Sequence, residues 1–170
     1  YHPTYLPANW RRWWEFGNGT LGDMGCHHLD LPFWALNLRH PATVEAKGPP
    51  VSPETAPEWI EVTWEFHSRA GQPAVKLGWY DGGKRPPQFA EGKLPQWGDG
   101  TLFVGEKGML LADYSRYVLL PEEDYRDFKP PAPFIPDSPG HYVEWIQAAK
   151  TGSPTTCNFG YAGPLTETVL

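Results

Sequence analysis

The sequence predicts an α+β domain in which an open, predominantly antiparallel sheet of about six strands carries helices on one face. Three observations lead there. Helical patterns lie at the two ends of the chain and strand patterns in between, in the order helices, strands, helices. Twenty Pro and eighteen Gly in 170 residues imply frequent turns and exclude a plain helical bundle. Successive strand patterns are joined without long helical crossovers, which favours antiparallel pairing.

Taken in order, the chain opens with an extended, Pro-rich stretch. Asn9 can cap a short helix running to Glu15 and ended by Gly17 and Gly19. A longer helix is expected over 21–38, with a kink or early stop at Pro32, which cannot donate to the carbonyl of His28. Strands are expected at 43–47, 59–66, 74–80, 101–104, 108–112 and 117–120, as one sheet. The second is the clearest. Its Ile60, Val62, Trp64 and Phe66 alternate with Glu61, Thr63, Glu65 and His67, which puts one apolar stripe on one face. Gly105-Glu106-Lys107-Gly108 lies between two apolar runs as a hairpin turn. Ser138 followed by Pro139 opens a helix to about Lys150, closed by Gly152, and a last helix starts near Pro164. No internal repeat is present.

A length of 170 residues suits one domain with a real core. The chain opens with Tyr1 and closes at Val169-Leu170 within a helical pattern, so it reads as a piece of a longer protein whose upstream part is not visible. No apolar run reaches the length of a membrane span and no signal peptide opens the chain, which leaves the compartment, cytoplasm or periplasm, unassigned. A net charge of −6 with no basic cluster beyond Arg11-Arg12 excludes nucleic acid as partner. Cys26 and Cys157 form neither a disulfide framework nor a CxxC site and read as ordinary buried thiols. Nine Trp, eight Tyr and eight Phe suit a sugar-like ligand or a subunit interface.

The densest chemistry lies in Gly22-Asp23-Met24-Gly25-Cys26-His27-His28-Leu29-Asp30. Asp23 and His27 are four apart and share a helical face, where a carboxylate beside an imidazole can orient a tautomer and move a proton. Residues 23, 27, 30 and 34 extend that face as a stripe of three polar groups and a Trp. The bland alternative is a carboxylate at a helix N-terminus beside a satisfied histidine. A metal pair is the other sharp alternative, but a third ligand is not evident, so no metal is assigned. Gly17-x-Gly19-x-x-Gly22 matches a dinucleotide fingerprint in letters only. No strand precedes it and no acid follows at about 20 positions, so the glycines are expected to serve turns and close packing. Trp79 to Pro87 combines aromatic, acidic and basic groups and is either a ligand rim or a surface turn. Capping accounts for His141, and for Asn158 with Tyr161.

Asn9-Trp10-Arg11, Gly19-x-x-Gly22-Asp23-x-Gly25-x-His27-x-x-Asp30, Trp79-Tyr80-Asp81-Gly82-Gly83, Gly105-Glu106-Lys107-Gly108, and Asn158-Phe159-x-Tyr161-Ala162-Gly163-Pro164-Leu165-Thr166-Glu167 together resemble the C-terminal domain of the Gfo/Idh/MocA oxidoreductases. The likeness is greatest to the dehydrogenases abundant in planctomycetes and Bacteroidetes, and it spans nearly the whole chain. The resemblance implies a two-domain enzyme whose N-terminal Rossmann domain, absent here, binds NAD or NADP, while this domain recognises a sugar, cyclitol or related polyol. It implies catalytic roles for Asp23 and His27, acting with a lysine from a Glu-Lys-Pro motif of the Rossmann domain. Lys107 follows Glu106 but lacks the proline and lies in a hairpin, so it is no substitute. Arg11, His28, Lys84 and Tyr161 are the expected substrate contacts, and a homo-oligomer is expected through the open sheet face. Two other outcomes fit the same resemblance. One is glycoside hydrolysis by transient oxidation, elimination and reduction. The other is a non-catalytic sugar-binding or assembly domain.

Overall fold

In the computed structural model, which describes residues 2–69, 71–92 and 94–170, the chain is an α+β arrangement of three α-helices and six strands. The strands are β1 (Thr43–Lys47), β2 (Glu61–Phe66), β3 (Val75–Tyr80), β4 (Thr101–Gly105), β5 (Gly108–Ala112) and β6 (Tyr117–Leu120). The helices are α1 (Gly19–Ala35), α2 (His141–Thr151) and α3 (Phe159–Val169). Every strand pairing among the described residues is antiparallel.

The six strands form two three-stranded sheets, β1-β2-β3 and β4-β5-β6, instead of one continuous ladder. The break falls in the connection from Asp81 to Gly100, where Gly82, Gly83, Gly92 and Gly100 have positive φ. Pro86, Pro87 and Pro95 in the same stretch have no N–H to give a ladder, so backbone composition separates the sheets. The β4–β5 hairpin turns on Glu106-Lys107 between paired Gly105 and Gly108, as the sequence implies.

The alternation in β2 settles which face is covered. Val62, Trp64 and Phe66 are buried with Trp79 of β3 against Leu29 and Phe33 of α1 and Leu165 and Val169 of α3. Each such side chain removed from water stabilises the fold by roughly 1.5–3 kcal/mol, which binds both helices to this one face. The opposite face presents Glu45, Lys47, Glu61, Thr63, Glu65 and Lys76, and is therefore the polar side of the sheet. In the second sheet Leu111 and Leu120 pack with Leu94 as a smaller core.

Several boundaries differ from the sequence expectations, each for a local reason. The first helix is only a 3-10 turn, Asn9–Arg12, because Trp13 is extended and bridges Thr55; Asn9 donates to the Pro3 carbonyl instead of capping. Helix α1 continues past Pro32 to Ala35. The His28 carbonyl that Pro32 leaves without an intrahelical donor is taken up by the Thr101 hydroxyl at 3.2 Å. That bond ties α1 to β4. Helix α2 starts at His141 after Gly140, whose N–H is accepted by Ser138 Oγ, and ends at Gly152 in the left-handed region. Helix α3 starts at Phe159, ahead of Pro164, which it contains, and Cys157 just before it is exposed and not buried as expected.

Candidate functional site

Helix α1 presents three faces. Leu29 and Phe33 point into the core, and Gly25 lies so close to α3 that an added Cβ would stand 2.9 Å from Val169 Cγ2. Thr20, Met24 and His28 form a second face, directed at a cavity of about 530 Å³. Asp23 and His27 lie on a third face, outside that cavity, with His27 exposed and Asp23 half-buried.

Asp23 is fixed from outside its own helix. Arg11 Nε donates to Asp23 Oδ2 at 2.8 Å, and the Arg11 guanidinium carbon stands 4.6 Å from the Trp10 ring centre. The glycines of the literal fingerprint build this corner. A Cβ on Gly17 would meet the Arg11 carbonyl oxygen at 2.6 Å, and one on Gly19, at φ 75°, would meet Ala56 Cβ at 2.6 Å. They allow close backbone approach around Arg11. Among the hydrogen bonds of the described residues none joins Asp23 to His27, so Arg11 is the group that holds the carboxylate.

The next polar member of the stripe, Asp30, is a structural partner. Tyr161 of α3 donates its hydroxyl to Asp30 Oδ1 at 2.6 Å. Burial, then the bond to Asp30, raise the Tyr161 pKa well above its ordinary value, so the phenol stays a neutral donor. Trp34, one turn further, is 58% exposed.

The cavity lies between α1, the end of β3, the loop that follows it, and β4. His28 and Lys84 line it; Arg11, Asp23, His27 and Tyr161 do not. The His28 ring centre stands 5.5 Å from Tyr114 and 6.2 Å from Trp79. Asp81 organises the loop: Oδ1 accepts the Ile60 N–H at 2.7 Å and Oδ2 the Trp79 indole N–H at 2.9 Å. Lys84 Nζ lies 4.1 Å from the Trp59 ring centre, a cation over an aromatic face. Burial, then the charge of Asp99, raise the Tyr114 pKa. Thus the six expected site residues divide into an outer group, Arg11, Asp23 and His27, a cavity pair, His28 and Lys84, and one latch, Tyr161.

Phe89, Trp97 and Asp99 also line the cavity, and the sequence reading passed over them. They lie in irregular chain between the sheets, where no periodicity marks an inward side; the one available signal was the aromatic at Trp97 within a Gly- and Pro-rich run. No group of three or more His, Cys, Asp or Glu among the described residues is arranged to hold a metal ion. No described helix is long and apolar enough to cross a membrane.

A family profile described as the GFO/IDH/MocA C-terminal domain matches residues 1–111, which contain the Arg11–Asp23 pair, both histidines and most of the cavity wall. A search of curated proteins returned no match.

Proposed function

The chain belongs to the Gfo/Idh/MocA family as a C-terminal domain, and on that premise we propose that it is the substrate-binding half of an NAD(P)-dependent oxidoreductase acting on a hydroxyl of a sugar, cyclitol or related polyol. Members of the family are typically oxidoreductases. NAD or NADP, held by the Rossmann domain that the family carries, supplies the hydride acceptor. In this chain Gly17, Gly19 and Gly22 of the literal fingerprint lie in close contact with Arg11, Ala56 and Asn18.

One observation carries the reading: an exposed imidazole, His27, stands one helical turn from a carboxylate that an arginine fixes at 2.8 Å. A histidine open to solvent on a rigid helix can meet a substrate hydroxyl brought against it and take its proton. Asp23 favours the resulting imidazolium electrostatically, and Arg11 keeps Asp23 in place. Arg11 is thus a positioning residue. His28 and Lys84 contact the substrate from the cavity, and Tyr161 anchors α3 to α1.

A homo-oligomer belongs to the same reading. The outer face of the β1-β2-β3 sheet is polar, whereas the β4-β5-β6 sheet pairs Phe103, Leu110 and Leu119 across one half-exposed apolar face. That face is the one a second copy would cover.

The test is an assay of the enzyme carrying its Rossmann domain, with NAD or NADP and a panel of sugars, cyclitols and polyols. Sugar-dependent formation of reduced cofactor supports the proposal, and residues 1–170 alone are expected to give none. Glycoside cleavage without net reduced cofactor would turn the assignment to hydrolysis by transient oxidation. Ligand binding that survives loss of both Asp23 and His27, with no turnover of any kind, would make the domain a binding or assembly unit.

A further inference from the structure

Catalytic face and cavity lie on different sides of α1. Successive residues of a helix are turned by about 100°, so His27 and His28 face different directions. His28 enters the cavity and His27 does not. A ring seated against His28 therefore differs in position from a hydroxyl carbon presented to His27.

The cavity has the chemistry of a carbohydrate subsite. Its walls include the half-exposed rings of Phe89 and Trp97, which can stack on the C–H face of a sugar ring, with the buried Trp79 behind them. These rings are held before any ligand arrives. Trp79 is fixed by its bond to Asp81, and Trp97 has the Arg116 guanidinium carbon 4.0 Å from its ring centre. Preorganised walls reduce the ordering cost of binding. The polar lining offers both donors and acceptors, from Lys84, Arg85, Gln88 and Asp99. Two cations, Lys84 and Arg85, are matched by two carboxylates, Asp81 and Asp99, so these four side chains carry no excess of either sign. A neutral polyhydroxylated ligand fits that balance better than an ionised one. At about 530 Å³ the cavity lies within the roughly 300–1,000 Å³ of small-molecule sites.

We propose that this cavity is a subsite for the remote, non-reacting ring of the substrate, so that the substrate is a neutral glycoside of at least two rings and not a free monosaccharide. The inference rests on the oxidoreductase reading for the identity of the reacting end. Aromatic stacking and hydroxyl hydrogen bonds in the cavity hold the remote ring, and the linkage spans the edge of α1 to bring the reacting ring to His27. Binding energy from the remote ring then positions the reacting hydroxyl.

The experiment uses the enzyme with its Rossmann domain and NAD bound. Calorimetry compares 4-nitrophenyl glycosides and disaccharides of gluco, galacto, manno and xylo configuration with the free monosaccharides. At least one two-ring probe is expected to bind about tenfold more tightly than its monosaccharide. Trp97→Ala should remove most of that advantage, and so should Lys84→Met, at an exposed position that leaves the small core untouched if Trp97→Ala fails to fold. Equal binding of two-ring and one-ring probes would overturn the inference, as would an advantage that survives in every folded variant. Cofactor reduction keeps the two readings apart. Monosaccharides turned over as efficiently as glycosides would remove the subsite and keep the oxidoreductase, whereas glycosides bound through Trp97 without any cofactor reduction would keep the subsite and remove the oxidoreductase.

Discussion

Arg11 and Tyr161, both expected in sequence to touch substrate, each bind a carboxylate of α1 in the folded chain. For Arg11 this makes a positioning role testable. Arg11→Gln should lower kcat with little change in KM. Arg11→Lys should restore part of the lost rate. A change in KM alone would return Arg11 to substrate contact. For Tyr161 the prediction concerns stability. Tyr161→Phe leaves Asp30 without its phenolic donor and should cost about 1 kcal/mol in chemical denaturation. The folded pKa of Tyr161 lies above the unfolded value of about 10. The contribution of this bond is therefore complete below about pH 10 and is lost as pH rises beyond it, so wild type and Tyr161→Phe should converge there. A constant difference across that range would contradict the latch.

At the scale of elements, what was legible in the sequence was what repeats or punctuates. The alternation from Ile60 to His67 identified β2 and its buried face, and the paired glycines at 105 and 108 identified the hairpin. The cost of Pro32 was also legible: it frees the His28 carbonyl, and the structure supplies Thr101 from a strand distant in sequence. No local pattern could reveal that donor. The same limit hid the division into two sheets, because strand patterns specify faces and not lateral neighbours. It also hid the separation of His27 from His28, since adjacent letters in a helix face different surroundings. Helix α1 depends on its contact with α3 at Gly25. Gly25→Ala would bring a methyl group to 2.9 Å from Val169 Cγ2 and should cost about 1–3 kcal/mol by forcing the helices apart. Thermal denaturation measures it, and an unchanged midpoint would mean that this helix pair is loosely packed.

Across the whole molecule, α1 is the common member of both halves. It lies on the β1-β2-β3 core through Leu29 and Phe33 and reaches the second sheet through the His28 carbonyl. Recognition and proton transfer are thus assigned to different faces of one rigid element. The apolar face of the second sheet, with Phe103, Leu110 and Leu119, is the proposed assembly surface. Leu110→Glu should shift the sedimenting species to a smaller mass while leaving far-UV circular dichroism unchanged; an unaltered oligomer would place the interface elsewhere. Whether His27 takes the substrate proton is read from the turnover of His27→Ala in the enzyme carrying its Rossmann domain. Sugar-dependent cofactor reduction should fall at least about tenfold, as loss of a general base requires, while glycoside binding in the cavity persists. Turnover equal to wild type would contradict that role.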